Sequence, residues 1–376
     1  MNYRTRIISS LAEIGQTEWD NLAQSHAEAN PFLSFAFLHA LHESGSASPA
    51  TGWQPQYLTL WAGEALQAAL PLYVKSHSYG EYVFDWAWAD AYRRHGLAYY
   101  PKLLSAIPFT PVAGPRLLAR DARARSALVQ ALCALQDGNA FSSTHVLLPP
   151  EDEARELEAA GFILRSSVQF HWLNAGYRDF QDFLDALERK KRKNIRAERR
   201  QVREAGVTFR HVGGEDATER DWRFFKRCYD RTYATHYSTP YLNLDFFLRI
   251  GAAMPQHLLL VIAERGGDAI AASLLVHNRR ALYGRYWGAL EYLPCLHFET
   301  AYYQPLEFCI ARGIQRFEGG AQGEHKMARG LLPHALHSAH WLAHPGFAEA
   351  INEFTRREGR GIAAYLDELN EHNPFR

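Results

Sequence analysis

The chain has 376 residues, 47% of them hydrophobic and 13% aromatic, and its 41 Lys and Arg balance 41 Asp and Glu. That length and apolar content predict about two packed domains. Neutrality excludes a nucleic-acid coat protein or a polybasic membrane protein as a description of the whole molecule.

From the N-terminus, Met-Asn-Tyr-Arg-Thr-Arg-Ile-Ile lacks the apolar core of a signal peptide, and no apolar run reaches the ~18–20 residues of a membrane helix. Cys133, Cys228, Cys295 and Cys309 form no Cys-x-x-C pair and no zinc-ribbon spacing, which predicts free thiols in a reducing compartment. The expectation is a cytoplasmic protein with no membrane span.

The two halves then repeat one another at offsets near 200 residues. Pro31–Leu38 has its counterpart in Pro240–Leu248, and Gln56–Glu64 in Gln256–Glu264. Tyr99-Tyr100 pairs with Tyr302-Tyr303, each pair opening a helical stretch. Each half reads as helix, β-hairpin, further strand, helix, strand, with hairpin turns at Ala62-Gly63-Glu64 and Arg265-Gly266-Gly267-Asp268. The fold class expected is α/β (α+β), mixed sheets flanked by helices. The domain exchange falls near Asn174–Asp179, giving units 1–175 and 176–376.

In the first half, Lys75–Asp90 is dense in aromatics, and Lys75, His77, Glu81 and Asp85 suit a groove for a polar substrate. The second half opens on a basic helix with nine basic residues against one acid between Arg189 and Arg203. Helical spacing aligns Arg192, Arg196, Arg199 and Arg203 on one stripe, beside an apolar line of Leu184, Leu187, Ile195 and Val202. Like charges at that spacing destabilise a helix, so the stripe is read as a phosphate-binding face. It carries no aromatic platform for reading bases.

Ala281–Ala289 fits a strand, and His297–Arg312 a helix stopped by Gly313. Four glycines follow within Arg316–Pro333, among Glu318, Glu324, His325, Lys326 and Arg329. His297, Glu299, Glu318, Glu324 and His325 are the candidate general acid/base groups. Arg285, Tyr303 and Gln322, from the same segments, join the groups expected to hold substrate. His334, His337, His340 and His344 fit a helix face or a strand that divides them, and no metal framework accompanies them. No nucleophile elbow, Walker or Rossmann fingerprint is present, which removes kinase, hydrolase and dehydrogenase readings. Phe347–Leu369 has the spacing of a packing helix.

These motifs resemble the FemAB-like predicted N-acyltransferases, a family described as peptidoglycan biosynthesis/recognition proteins. The resemblance covers nearly the whole chain, including Asn30–Ser34, His77–Asp90, Tyr99–Lys102, Arg192–Arg196, Leu282–Gly288, Leu296–Glu299 and Gly320–Gly330. It implies two tandem GNAT-like units, the second opened by the basic helix. It also implies that Lys326 and Arg329 contact a phosphate-bearing substrate. Between Gly288 and Phe298 the chain reads Ala-Leu-Glu-Tyr-Leu-Pro-Cys-Leu-His, without the glycine amides that cradle a coenzyme pyrophosphate in ordinary GNATs.

An aminoacyl-tRNA or another acyl donor then fits better than acetyl-CoA. The implied function is acyl or aminoacyl transfer to an amine of a small or cell-wall-precursor acceptor. The donor, aminoacyl-tRNA or acyl-CoA, is a co-substrate, with no tightly bound cofactor and no DNA partner. The alternatives are a non-catalytic duplicated fold binding tRNA or a phosphate-bearing precursor, and an acetyl-CoA-dependent N-acetyltransferase.

Overall fold

A computed structural model describes residues 3–26, 29–138, 141–320 and 323–375. Its contacts divide the chain into two units, Met1–Ser167 with Ala335–Tyr365, and Val168–His334 with Leu366–Arg376.

The elements run β1 (Arg4–Ile8), α1 (Gln16–Gln24), α2 (Phe35–Glu43), β2 (Trp53–Pro55), β3 (Tyr57–Ala62), β4 (Ala65–Leu70), β5 (Tyr73–Lys75) and α3 (Trp86–Arg94). Next come β6 (Lys102–Ser105), β7 (Leu118–Ala119), α4 (Ala122–Asp137), β8 (Ser143–Leu147), α5 (Glu151–Ala159) and β9 (Ile163–Leu173). The second half follows with α6 (Phe180–Ala186), α7 (Arg189–Glu204), β10 (Val207–Gly213), α8 (Glu219–Thr235), α9 (Leu244–Ala253), β11 (Leu258–Arg265), β12 (Asp268–His277) and β13 (Ala281–Ala289). The chain closes with α10 (Leu296–Phe298), a π-helical turn (Glu299–Tyr303), α11 (Gln304–Arg312), β14 (Arg316–Glu318), β15 (Leu332–Leu342) and α12 (Pro345–Glu371).

In the first unit β1, β3, β4 and β7 form one sheet, while β2, β5, β6, β8 and the Ser338–Leu342 stretch of β15 form another, with β6 and β8 parallel. Leu58, Leu70, Leu103, Leu128, Val146 and Leu157 fill the core between sheet and helices. In the second unit β10, β11, β12 and β13 are antiparallel neighbours, and β13 then pairs in parallel with β14. The two expected hairpins are β3–β4 and β11–β12. Their two-residue loops start on Gly63 (φ 60°) and Gly266 (φ 61°), a left-handed conformation that glycine adopts without a Cβ penalty.

Successive residues of β13 show why the second sheet carries helices on both faces. Trp287 packs in a cluster with Val202 of α7 and Leu296 of α10. Gly288 lies against α8, where a Cβ would stand 2.0 Å from the Cys228 carbonyl oxygen. The helix expected over 297–312 runs from Leu296 to Arg312, with its central turn widened to π geometry and Gly313 (φ 65°) capping it.

One expectation changes, and one open alternative is decided. Tyr99-Tyr100 opens no helix: the first unit's helix is α3, which precedes it, and Tyr100 leads into Pro101 and strand β6. Proline disfavours helical backbone in the residue before it, and Lys102–Ser105 finds partners in β5 and β8. The histidine-rich segment is the strand β15, so alternation separates His337 from His334 and His340. No helix among the described residues is long and apolar enough to cross a membrane.

Candidate active site

The site begins with two irregularities in strand pairing. Leu274 opposes Tyr286 but Leu275 opposes Gly284, so Arg285 is an extra residue, a bulge in β13. On its other edge β13 pairs with β14 only from Ala281 to Tyr283. It then continues to Ala289, whereas β14 ends at Glu318 and gives way to Gly319-Gly320. A cavity of 110 Å³ opens where the two strands separate. Arg285, Tyr286 and Trp287 line it from β13, Ser273 from β12, His297, Ala301 and Tyr302 from the helix, and Gly319 and Gly320 from the loop. Gly319 has no room for a side chain, since a Cβ would stand 2.7 Å from Leu331. The volume lies below the ~300–1,000 Å³ of a drug-sized ligand site, and fits a small acyl or amine group.

His297 and Ser273 line this cavity, and Lys326 stands beside its glycine loop. The His297 ring packs against Trp287, tilted by 31°, with 4.6 Å between ring centroids. Burial, and then the neighbouring His325, Arg329 and Lys326, lower its pKa to about 4, so the imidazole is neutral at pH 7. Ser273 is 3% exposed and its hydroxyl has no hydrogen-bond partner among the described residues. Such an orphan in a native fold calls for an explanation. Lys326, 2% exposed, donates from Nζ to the Gly320 carbonyl at 2.8 Å, and burial alone lowers its pKa to about 8.

Arg329 is held within the protein. Its guanidinium lies 3.4 Å from the Phe298 ring centre, donates to Glu198 at 2.9 and 3.0 Å, and donates to the His325 carbonyl at 2.7 Å. The Tyr303 hydroxyl donates to the same Glu198 carboxylate. Thus Glu198 of the basic helix anchors both Arg329 and Tyr303. His325 is exposed, 3.4 Å from the Tyr302 hydroxyl, and its pKa is lowered by burial and by Arg329. Glu324 is exposed, and Glu318 is buried against Arg316 at 3.0 Å.

The remaining expected groups stand elsewhere. Glu299, 3% exposed, faces a second cleft and accepts from Arg199 at 3.0 Å and from Gln304 at 2.7 Å. Burial raises its pKa against the opposing pull of Arg199. Arg196 lines the same cleft, bonded to Gln181 at 3.0 Å, and Arg192 pairs with Asp185 at 2.6 Å. Gln322 lies outside the described residues. Of the expected catalytic groups, only His297 lines the cavity at the strand separation. Ser273 is a group that sequence reasoning missed. Its signal was a lone hydroxyl within the apolar run Ala269–Val276.

In the first unit the expected Glu81 and Asp85 come together around a residue not singled out from sequence, Lys102. Its Nζ donates to Glu81 at 2.8 Å, to Ser78 at 2.9 Å and to Asp85. The Tyr99 hydroxyl donates to Asp85 at 2.7 Å and lies 3.1 Å from His145, which in turn meets His340 at 2.7 Å. Burial drives the Asp85 carboxyl upward, but Lys102 outweighs it and holds the group well below the usual carboxylate range. Burial raises Glu81 to about 7. Lys75 is buried 3.7 Å from the Trp53 ring centre, donates to the Tyr79 carbonyl at 3.3 Å, and burial lowers its pKa to about 7. His77 stands half-buried at the edge, its Nδ1 accepting from the Tyr79 amide.

Comparison with known proteins bears on the family and the fold. The FemAB-like family model, peptidoglycan biosynthesis/recognition, matches residues 10–376. No curated protein sequence matches the chain. Among solved structures it is similar to FemX, at 11% identity over 93% of this chain and 100% of that one, with a TM-score of 0.56. It is also similar to the C-terminal domain of a putative lysylphosphatidylglycerol synthetase from Agrobacterium fabrum, at 12% identity over 91% and 96%, TM-score 0.55. A conserved protein of unknown function from Bacteroides thetaiotaomicron gives 12% identity over 90% and 99%, TM-score 0.56. The fold is therefore the mixed α/β architecture shared with FemX, with mixed sheets flanked by helices.

Proposed function

The chain belongs to the FemAB-like family, and from that premise we propose that it is an N-acyltransferase acting at the cavity between β13 and β14. The observation that carries this reading is the convergence there of a neutral imidazole, an orphaned buried hydroxyl and a bulged arginine, with a buried lysine beside the loop. The donor is an aminoacyl-tRNA or an acyl thioester, used as a co-substrate. The acceptor is an amine on a small molecule or a cell-wall precursor, and the reaction belongs to the cytoplasm.

In the step proposed, the amine lone pair attacks the donor carbonyl carbon and a C–N bond forms. His297 takes the proton that the amine sheds. Ser273 and Arg285 donate to the carbonyl oxygen as it gains negative charge, a contribution largest where water is excluded. The C–O or C–S bond then breaks, its electron pair leaves with the departing group, and His297 returns the proton to that group. Lys326 binds a phosphate of the donor. That anion offsets the positive field holding His297 low, so donor binding raises the basicity of the imidazole.

The test is intact-mass analysis of amine acceptors, incubated with the protein and either charged tRNA or acyl-CoA. A gain of one acyl or aminoacyl unit with one donor class is expected. Donor binding without mass gain in any acceptor would sink catalysis in favour of a binding module.

A further inference from the structure

The second cleft of the second unit has a volume of 670 Å³ and shares no lining residue with the acyl-transfer cavity. The helix contributes His297, Ala301 and Tyr302 to one and Glu299, Gln304 and Glu307 to the other. Four arginines of α7, at 196, 199, 200 and 203, reach the cleft, against two carboxylates. Both carboxylates are spent on one arginine: Arg199 pairs with Glu299 at 3.0 Å and Glu307 at 2.9 Å, and covers the Phe180 ring at 4.4 Å.

None of the other three donates a hydrogen bond to a carboxylate among the described residues. Among the described residues Arg196 donates only to the neutral Gln181, and Arg200 meets the exposed Glu204 at 3.8 Å. Arg203 has no ion-pair partner among the described residues. Their spacing puts them on one side of the helix, where repulsion costs stability. Beneath them the wall is apolar, built from Leu184, Val207 and Phe209. A solvated helix face would need neither the depth nor that wall.

We propose that this cleft binds a small phosphorylated ligand with an apolar or aromatic body. Its phosphate or diphosphate takes the guanidiniums of Arg196, Arg200 and Arg203, and its body lies on Leu184, Val207 and Phe209. Arginine suits this role because its planar fork meets phosphate oxygens in pairs. The volume falls within the ~300–1,000 Å³ typical of small-molecule sites. The site stands whether or not the acyl-transfer reading does.

The experiment is calorimetric titration of the full chain at about 0.15 M salt, where long-range attraction is screened. The probes are inorganic pyrophosphate, farnesyl diphosphate and ADP, against the wild type, R196Q/R200Q/R203Q and Lys326→Met. At least one of the two probes with a body should bind about tenfold more tightly than pyrophosphate, and the triple variant should lose about tenfold or more in that affinity. The tighter of the two identifies a lipid or a nucleotide source. The triple variant should melt no lower than wild type, since it relieves repulsion on α7, and Lys326→Met should bind the probe as wild type does. Undiminished binding by the triple variant, loss confined to Lys326→Met, or binding of tRNA but of no small diphosphate would each overturn the proposal.

Discussion

Lys102 and Lys326 are both buried lysines, and the difference between their surroundings separates structure from chemistry in this protein. Lys102 is met by two carboxylates and a hydroxyl, and those charges hold its pKa above the ordinary value despite burial. Lys326 has one backbone carbonyl, and burial lowers its pKa to about 8. Desolvating an ammonium is costly unless neighbours offset it. In the first unit the protein supplies the offset itself. In the second it leaves the lysine beside a cavity, where an anionic ligand would supply it.

The largest effect expected from this contrast is on stability. Lys102→Met leaves Glu81 and Asp85 buried without their hydrogen-bonded counter-charge, and should cost about 3–5 kcal/mol in urea unfolding. Lys326→Met removes an amine that burial disfavours, and should leave the unfolding midpoint unchanged or raise it, while weakening binding of a phosphate-bearing donor. Equal destabilisation by the two substitutions would end the comparison.

The pH dependence sharpens it next. His297 acts as a base only when neutral, so kcat/KM should fall as pH drops through about 4 rather than 6.5. Lys326 attracts phosphate only when protonated, so kcat/KM should fall again as pH rises through about 8, and Lys326→Met should abolish that alkaline limb. An acid limb near 6.5 would mean that His297 is not held low in the free protein.

Much of the frame was legible in the sequence because local chemistry dictates it. Gly63 and Gly266 mark hairpin turns, and Gly313 marks the end of a helix, through backbone angles that neighbouring residues do not decide. The site was legible as residue types but not as partners. Arg329 reads as a free cation in a glycine loop, yet its partner Glu198 lies 131 residues away on another helix. Lys102 reads as the start of a strand, and only pairing of that strand with β5 and β8 brings it beneath Glu81 and Asp85. The helical reading of Tyr99-Tyr100 failed for the same reason, because sheet partners distant in sequence claimed the residues that follow.

Ser273 gives the smallest effect and the most discriminating one. A buried hydroxyl that serves the fold has a partner, and its removal lowers stability by about 1 kcal/mol. The Ser273 hydroxyl has none among the described residues, so Ser273→Ala should leave urea stability unchanged or raise it by up to about 1 kcal/mol. If that hydroxyl donates to the carbonyl oxygen during transfer, the same substitution should lower kcat by about tenfold to a hundredfold, with little change in KM. The two measurements move in opposite directions only if the fold tolerates an orphaned group for the sake of a substrate. A drop in stability with unchanged kcat would make Ser273 an ordinary packing residue, and would leave His297 without a donor partner on β12.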